Sequence, residues 1–125
     1  MSKSSRAPIE SHRDLDAWQL AMEIVIEVYG VTRTFPSEEK FGLSAQLRRA
    51  AVAIPSNIAE GHSRLGGAEF RRFVSIARGS AGEVETQLAV AVALGFVRAD
   101  EIAALSSKLG RLSKMLFGLF RSLAK

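Results

Sequence analysis

The feature that most constrains this chain is the spacing of the large apolar residues near its carboxyl end. These residues recur in steps of three and four: Ile102, Leu105, Leu109, Leu112, Leu116, Leu119 and Leu123. Such steps place side chains on one face of an α-helix, whereas a half-buried strand needs steps of two. Similar spacing recurs upstream and alternation by two is almost absent, so the sequence predicts an all-α protein.

Turn and capping residues divide the chain into four predicted helices, over residues 14–34, 37–60, 68–94 and 100–123. Pro36 ends the first helix, because the residue before a proline is pushed out of helical geometry. Ser37 and Asp100 are the expected N-caps of the second and fourth helices, and Gly61 is the expected C-cap of the second. Short connections between long helices predict an antiparallel up-down-up-down four-helix bundle over residues 14–125, after a disordered polar leader, residues 1–13.

The first helix carries more apolar surface than one bundle core requires. One stripe consists of Leu15, Trp18, Met22, Val25 and Tyr29, and a second of Ala17, Ala21, Ile24, Val28 and Val31. The two stripes are centred about 100° apart, so the apolar arc is about twice as wide as usual. The second stripe is expected to meet another chain or a neighbouring helix at a wide angle, because so much apolar surface is rarely left in water. The candidate interface residues for a homo-oligomer are Ile24, Val28 and Val31, with Phe117 on the fourth helix.

Composition narrows the class of protein further. The chain has no cysteine, which excludes disulfides and thiolate metal sites. Its longest uncharged apolar run, residues 88–97, is about half the ~20 residues needed to cross a bilayer. The polar start shows no secretory signal. We therefore expect a cytoplasmic protein without a membrane partner.

The residues offer little for catalysis or metal binding. The two histidines are His12 and His62, and neither has the glutamate three residues earlier that a di-iron bundle uses. Residues 61–67 contain no lysine, so no phosphate loop of the Gly-x-x-x-x-Gly-Lys type is present. No catalytic residue, metal ligand or cofactor is predicted, and an enzyme is the least favoured class.

A group of polar and helix-breaking residues in the second helix forms its most distinctive motif: Arg49, Pro55, Asn57, Glu60 and Gly61. Asn57 continues the inward stripe, and Glu60 stands four residues before Arg64, a favourable helical spacing. A buried or half-buried pair between Arg49 and a carboxylate would fix helix register. Pro55 should kink the helix. A structural role is favoured, and a ligand-binding or catalytic role is the alternative.

The third helix contributes a matching motif of Gly79, Ser80, Glu83 and Glu85. Each glycine inside a helix costs about 1 kcal/mol relative to alanine, so Gly79 and Gly82 need a compensating gain. The expected gain is close approach of the second helix, with a hinge as the alternative. Glu83 and Glu85 are candidate partners for Arg49.

Positive charge is concentrated in two regions of a chain whose net charge is +4. Residues 40–80 carry seven basic and two acidic side chains, and residues 98–125 carry six and two. The candidate contacts to nucleic acid are Arg71, Arg72, Arg78, Arg111, Lys114, Arg121 and Lys125. Neither an exposed aromatic platform nor side chains set to read base edges are evident. Two interpretations of these cations remain open. They contact phosphates with little sequence preference, or they simply form a solvated charged face.

The segment Arg48-Arg49-Ala50 followed by Asn57-Ile58-Ala59-Glu60-Gly61 closely resembles a bacterial four-helix-bundle family associated with intervening sequences of 23S ribosomal RNA genes. Residues 77–80 with 83–88 resemble that family's second motif, and Leu15 with Trp18 its opening motif. The resemblance covers residues 13–123. Ala53, Ala81 and Gly82 depart from the usual family residues without affecting the expected fold.

The resemblance implies a closed pentameric ring of antiparallel bundles. The family is also similar to the accessory proteins of diversity-generating retroelements, whose basic pentameric barrels bind nucleic acid and a reverse transcriptase. Two functions are therefore compared: a homo-oligomeric accessory protein that binds RNA or DNA, and a scaffold that docks another protein.

Overall fold

The chain forms four α-helices, as the apolar spacing predicts. The structure is a computed structural model and describes residues 9–123. The helices are α1 (Asp16–Thr32), α2 (Leu43–Ser63), α3 (Gly67–Ala93) and α4 (Ala103–Ser122), and this part of the chain contains no strand. α1 packs against α2 and α4, and α3 packs against the same two helices. Short connections make successive helices antiparallel, so the all-α fold class and the four-helix bundle are confirmed.

The bundle core is built from one apolar stripe of each helix. Fully buried side chains come from all four, among them Ile24, Leu47, Val84 and Leu109. Lys108 of α4 bridges Glu23 and Glu27 of α1 at the surface, with 3.1 Å between its Nζ and Glu23 Oε1. The hydrogen bonds that Lys108 donates to Glu27 and Glu23 raise the pKa of Lys108. This ion-pair cluster joins the first helix to the last beside the core.

The first helix begins at Asp16, two residues later than predicted, because a short 3-10 helix, His12–Asp14, precedes it. Asp14 Oδ2 accepts backbone hydrogen bonds from Glu10 at 2.8 Å and Ser11 at 3.1 Å, and these bonds lower the pKa of Asp14. Part of the predicted leader, residues 9–13, therefore adjoins or enters this turn. Residues 1–8 lie outside the described range.

The connection between α1 and α2 contains a 3-10 helix, Ser37–Glu39, so Ser37 does not cap α2 as predicted. α2 begins at Leu43, where Glu39 Oε1 accepts the backbone N–H at 3.0 Å. A side chain from the preceding turn thus supplies the acceptor that a helix N-terminus needs.

Two further capping predictions are wrong. α2 continues through Gly61 to Ser63, and the connection to α3 uses Gly66 at a φ of 114°, which glycine adopts without strain. Asp100 lies within the 3-10 helix Ala99–Ile102, where Glu101 Oε1 accepts the Arg98 N–H at 2.7 Å. These two helix boundaries therefore differ from the ones that Gly61 and Asp100 predict.

The glycine that permits close helix approach is in α2, not in α3 as predicted. A Cβ on Gly61 would stand 2.6 Å from Phe73 Cβ and 3.1 Å from Phe70 Cδ1. A Cβ on Gly79 or Gly82 would meet nothing within 4 Å. The prediction that these two glycines accommodate α2 is therefore wrong, and both point away from the packed interior of the chain.

The assignment of the two α1 stripes is also corrected. Ile24 and Val28 are fully buried in the chain's own core, so they are not available to a second chain, and Val31 is half-buried. The other stripe is half-buried along its length, including Trp18, Met22 and Val25. The core selects the stripe that contains Ala17 and Ala21 because short side chains let neighbouring helices approach closely.

Candidate nucleic-acid interface

The outer surface shared by α3 and α4 carries an exposed aromatic ring between two arginines. Phe117 is 44% exposed. The Arg78 guanidinium lies 5.1 Å from the centre of this ring and the Arg121 guanidinium 5.7 Å from it. Both distances are within the range of cation–π attraction. The expectation that no exposed aromatic platform exists is therefore wrong.

Two arginines of α3 are anchored on the backbone of α4. Arg71 lies 3.7 Å from the centre of the Phe120 ring, and its Nε donates to the Phe120 carbonyl at 3.3 Å. Arg78 Nε donates to both the carbonyl and the hydroxyl oxygen of Ser113 at 3.2 Å. Within residues 9–123, their terminal guanidinium nitrogens make no hydrogen bond to the protein. The anchors hold the cations at the surface and leave those nitrogens available.

The other predicted cations lie around this pair of helices with different degrees of pairing. Arg72 is exposed and pairs with Glu69 at 3.4 Å, which partly neutralises it. Arg111 and Lys114 are exposed and have no ion pair to the described residues. Lys125 lies outside the described range. Arg71, Arg78 and Arg121 therefore lie on one surface, with Arg72 and Lys114 beside them. Arg111 lies further around α4.

Acidic residues are absent from this surface over long stretches. No aspartate or glutamate occurs in residues 70–82 of α3, and none follows Glu101 to the end of the chain. Two adjoining open grooves of about 360 and 480 Å³ run along the surface, lined by Ser75, Arg78, Gly79, Gly82 and Ser113, and by Ala68, Arg71, Arg72, Ser75, Ile76 and Phe120. The surface between the arginines is low because short residues, Ser75, Gly79 and Gly82, line it.

The predicted motif of α2 is more exposed than expected. Arg49 lies at the surface and makes no ion pair with a described carboxylate, so the expected buried pair is not formed. Asn57 is half-buried and its Nδ2 donates to the Ala53 carbonyl at 2.8 Å within the same helix. Glu60 forms an ion pair with Arg64 at 2.9 Å, as their four-residue spacing predicts. Pro55 is buried within α2.

The motif residues of α3 divide between core and surface. Ser80 is buried, whereas Glu83 and Glu85 are exposed and make no ion pair within residues 9–123. Glu83 shares an open groove with Arg49, but Glu85 does not line it. Gln87, which the sequence places on the same helix as a polar residue opposite Arg49, also lines this groove.

An apolar groove of about 280 Å³ lies between α1 and α2 on another side of the bundle. It is lined by Trp18, Met22, Val25, Val52, Pro55, Ser56 and Ala59. Nearby on α1, Ile26 is 68% exposed. This surface, unlike the stripe of Ile24 and Val28, is an apolar face that the described residues leave partly uncovered.

Neither histidine stands in a cluster of potential metal ligands. His12 packs its ring against Trp18 with 5.2 Å between ring centres, and His62 packs against Phe70 at 5.6 Å. Within residues 9–123, no group of three or more His, Cys, Asp or Glu side chains is placed to hold a metal ion. No helix in the same range is long and apolar enough to cross a membrane.

The fold and this surface define a class of small four-helix-bundle protein with an arginine-rich outer face. The profile of the 23S rRNA-intervening sequence protein family matches residues 13–118, and the chain belongs to that family. A crystal structure of a protein of unknown function from the S23 ribosomal protein family of Bacteroides thetaiotaomicron is similar, with a TM-score of 0.78 and 20% identity. The match covers 85% of this chain and 99% of that one, and at this identity it supports the fold alone. Comparison with curated proteins finds no match.

Proposed function

We propose that this chain is a non-enzymatic accessory protein that binds RNA or DNA through the α3–α4 surface and acts as a homo-oligomer. The observation that carries the proposal is the placement of Arg71 and Arg78, each held by an aromatic ring and an α4 carbonyl and free of any carboxylate partner within residues 9–123. Arginine presents several N–H donors in one plane, which suits phosphate oxygens.

The absence of acids from residues 70–82 and after Glu101 supports the same function. A carboxylate beside these arginines would repel a phosphate backbone and neutralise the cations. Contacts of this kind bind the backbone without reading the sequence. We expect affinity for duplex DNA or structured RNA with a strong dependence on salt.

Self-association belongs to the proposal because one basic surface binds a polyanion weakly. Several linked copies bind together through effective concentration. The α1–α2 apolar groove is the surface we assign to contacts between copies, in place of Ile24 and Val28. A closed ring of five chains is the arrangement that we propose.

Fluorescence anisotropy of a labelled 20-base-pair DNA duplex, titrated at several salt concentrations, tests the proposed binding. The logarithm of the association constant should fall linearly with the logarithm of salt concentration, with a slope of about −0.9 per phosphate contacted. Arg78→Glu should weaken binding at least about tenfold, because it removes one cation and introduces one anion at the centre of the surface.

A matched control is Arg98→Glu, which makes the same charge change at the α3–α4 connection, where Arg98 is bonded to Asp100 at 3.0 Å. The control should lower affinity much less, while light scattering reports unchanged assembly for both variants. If the unmodified protein binds neither duplex DNA nor structured RNA at about 50 mM salt, the basic surface is a solvated face and the proposal fails.

The apolar groove between α1 and α2 favours a second candidate, a scaffold that docks another protein. Trp18, Met22 and Val52 would receive an apolar side chain of the partner there. A stable monomer by light scattering, combined with no nucleic-acid binding, would make this candidate the leading one, because the groove would then be uncovered in the free protein.

A further inference from the structure

A polar groove between α2 and α3 is separate from the basic α3–α4 surface and is not used by the proposed phosphate contacts. Gln46, Arg49, Ala50 and Ala53 of α2 line one side of it, and Glu83 and Gln87 of α3 line the other. Its volume is about 410 Å³, and it opens to solvent along one side. This space accommodates a planar group the size of a nucleobase.

The polar side chains of this groove are unpaired within residues 9–123. The side chains of Gln46, Arg49 and Glu83 make no hydrogen bond or ion pair with the described residues. Gln87 Oε1 is buried and has no hydrogen-bond donor there, which costs free energy. Arg49 and Glu83 carry opposite charges and line the same groove, yet they do not pair with each other. The gap between the two walls is therefore a place for a group that bonds to both.

The two walls differ in the chemistry they present. Glu83 and Gln87 are four residues apart, so both lie on the same face of α3. The exposed Glu83 carboxylate offers two acceptor oxygens to the groove, whereas Gln87 Oε1 is buried. Arg49 offers a fork of N–H donors from the opposite wall. The floor is made by the methyl groups of Ala50 and Ala53, on which a flat ring can lie.

We propose that this groove binds the base of an unpaired guanosine. Guanine carries two neighbouring donors, N1–H and the N2 amine, which match the two oxygens of the Glu83 carboxylate. It also carries two neighbouring acceptors, O6 and N7, which arginine commonly contacts with both arms of its guanidinium. Adenine, cytosine, uracil and thymine all lack the pair of neighbouring donors. The inference deepens the proposed function, because it adds base selection to a surface that otherwise contacts only phosphates.

Two kinds of ligand present a guanine base to this groove: a free guanine nucleotide and an unpaired guanosine within a nucleic-acid strand. Calorimetric titration of the full chain with guanosine and adenosine 5′-monophosphates, each to about 1 mM, tests the first source. Anisotropy with a labelled twelve-nucleotide dT strand, and with the same strand carrying one central dG, tests the second. A preference for guanine of at least about fivefold in either arm is expected from one base contact.

The key variant is Glu83→Gln, which removes the charged acceptor for N1–H and keeps the size of the side chain. It should abolish most of the guanine preference, whereas Glu85→Gln, an equal change at an exposed residue outside the groove, should leave it intact. Gln87→Met separates binding from packing, because it removes the buried acceptor. We expect a raised thermal midpoint with the guanine preference kept, because the buried oxygen does not contact a base in the groove.

Equal affinity for the two mononucleotides together with equal affinity for the two strands overturns the inference, as does a Glu83→Gln variant that keeps the full guanine preference. A Gln87→Met variant that loses the guanine preference overturns the assignment of the two guanine donors to Glu83. If guanosine monophosphate binds selectively while duplex DNA and structured RNA do not bind at all, the proposed function fails and the guanine site stands as a mononucleotide site.

Discussion

Gly61 of α2 faces Phe73 of α3 so closely that an added methyl group would lie 2.6 Å from the Phe73 Cβ. The carbonyl oxygen of Phe70 lies at 3.3 Å from the same point, so the backbone of α3 also limits the space. Phe73 is buried, and the guanidinium of Arg64 lies 5.0 Å from the centre of its ring. This contact fixes the distance between the two helices near their connection.

Gly61→Ala should therefore destabilise the protein by about 1–3 kcal/mol, the usual cost of overpacking a core. Urea unfolding followed by circular dichroism measures the difference. Gly79→Ala is the matched control, because its new methyl group meets no atom within 4 Å and alanine favours the helix by about 1 kcal/mol. Equal stability of the two variants would contradict the close contact.

The two apolar stripes of α1 respond differently to a buried charge. Ile24→Lys places an unpaired ammonium at a fully buried position and should cost several kcal/mol, with loss of helical circular dichroism. Ile26→Lys, at a position that is 68% exposed, should change the free energy of unfolding by less than about 0.5 kcal/mol. A folded Ile24→Lys variant would show that the stripe assignment is wrong.

Assembly should depend on the apolar groove between α1 and α2. Light scattering of the unmodified protein at micromolar concentration should give a multiple of 13.5 kDa, with five chains expected. Met22→Lys should give smaller species with unchanged helical circular dichroism, because the side chain is only half-buried and lines the groove. An unmodified protein that stays monomeric would remove the basis for the ring.

Asp14 should make the turn before α1 sensitive to acid. Its folded pKa is below the ordinary value of 3.8, because its carboxylate accepts the backbone N–H groups of Glu10 and Ser11. The stabilisation is present above pH 3.8 and is lost as the pH falls through the folded pKa. The emission of Trp18, which packs against His12 in this turn, should change in that acid range. Asp14→Asn should remove the transition, and a wild-type signal that stays constant would exclude the linkage.

Phe117 should contribute to nucleic-acid binding by holding Arg78 and Arg121 in place. Phe117→Ala removes two cation–π contacts worth about 0.5–1 kcal/mol each, so affinity for duplex DNA should fall roughly fivefold or more. Phe41→Ala, at the opposite end of the bundle, is the control, since that ring is 87% exposed and contacts only Lys40 among the cations. Equal losses in both variants would place binding elsewhere.

The fold was predictable because apolar spacing specifies a helix and its buried face independently of the partner that covers it. The spacing of Leu105, Leu109 and Leu112 needs no knowledge of the other helices. The choice between two stripes in α1 does need it, because both are apolar and the outcome depends on which fits closely against α2 and α4. The predicted helix ends were wrong for a related reason. Capping propensity favours Ser37 and Asp100, but the backbone N–H groups are bonded by Glu39 and Glu101 from neighbouring turns.

The candidate interface was predictable only in part. Charge counts identified Arg71, Arg78 and Arg121, but not that Phe117 stands beside two of them, because the relative rotation of α3 and α4 sets that contact. Arg49 was expected to find a carboxylate within the bundle. Its position at the surface depends on where α2 faces α3, which the contact at Gly61 determines and the local sequence does not.

The glycines of α3 also affect how the molecule opens. The turn from Ala77 to Gly82 buries only Ala77, Ser80 and Ala81, whereas the next two turns bury Val84 and Leu88. Local opening exposes less apolar area in the first segment, and glycine gains more backbone entropy when it is released. Amide hydrogens near Gly79 and Gly82 should therefore exchange with solvent faster than those near Leu88. We expect the middle of α3 to open at a lower free energy than the segment around Val84 and Leu88, which is held by the core.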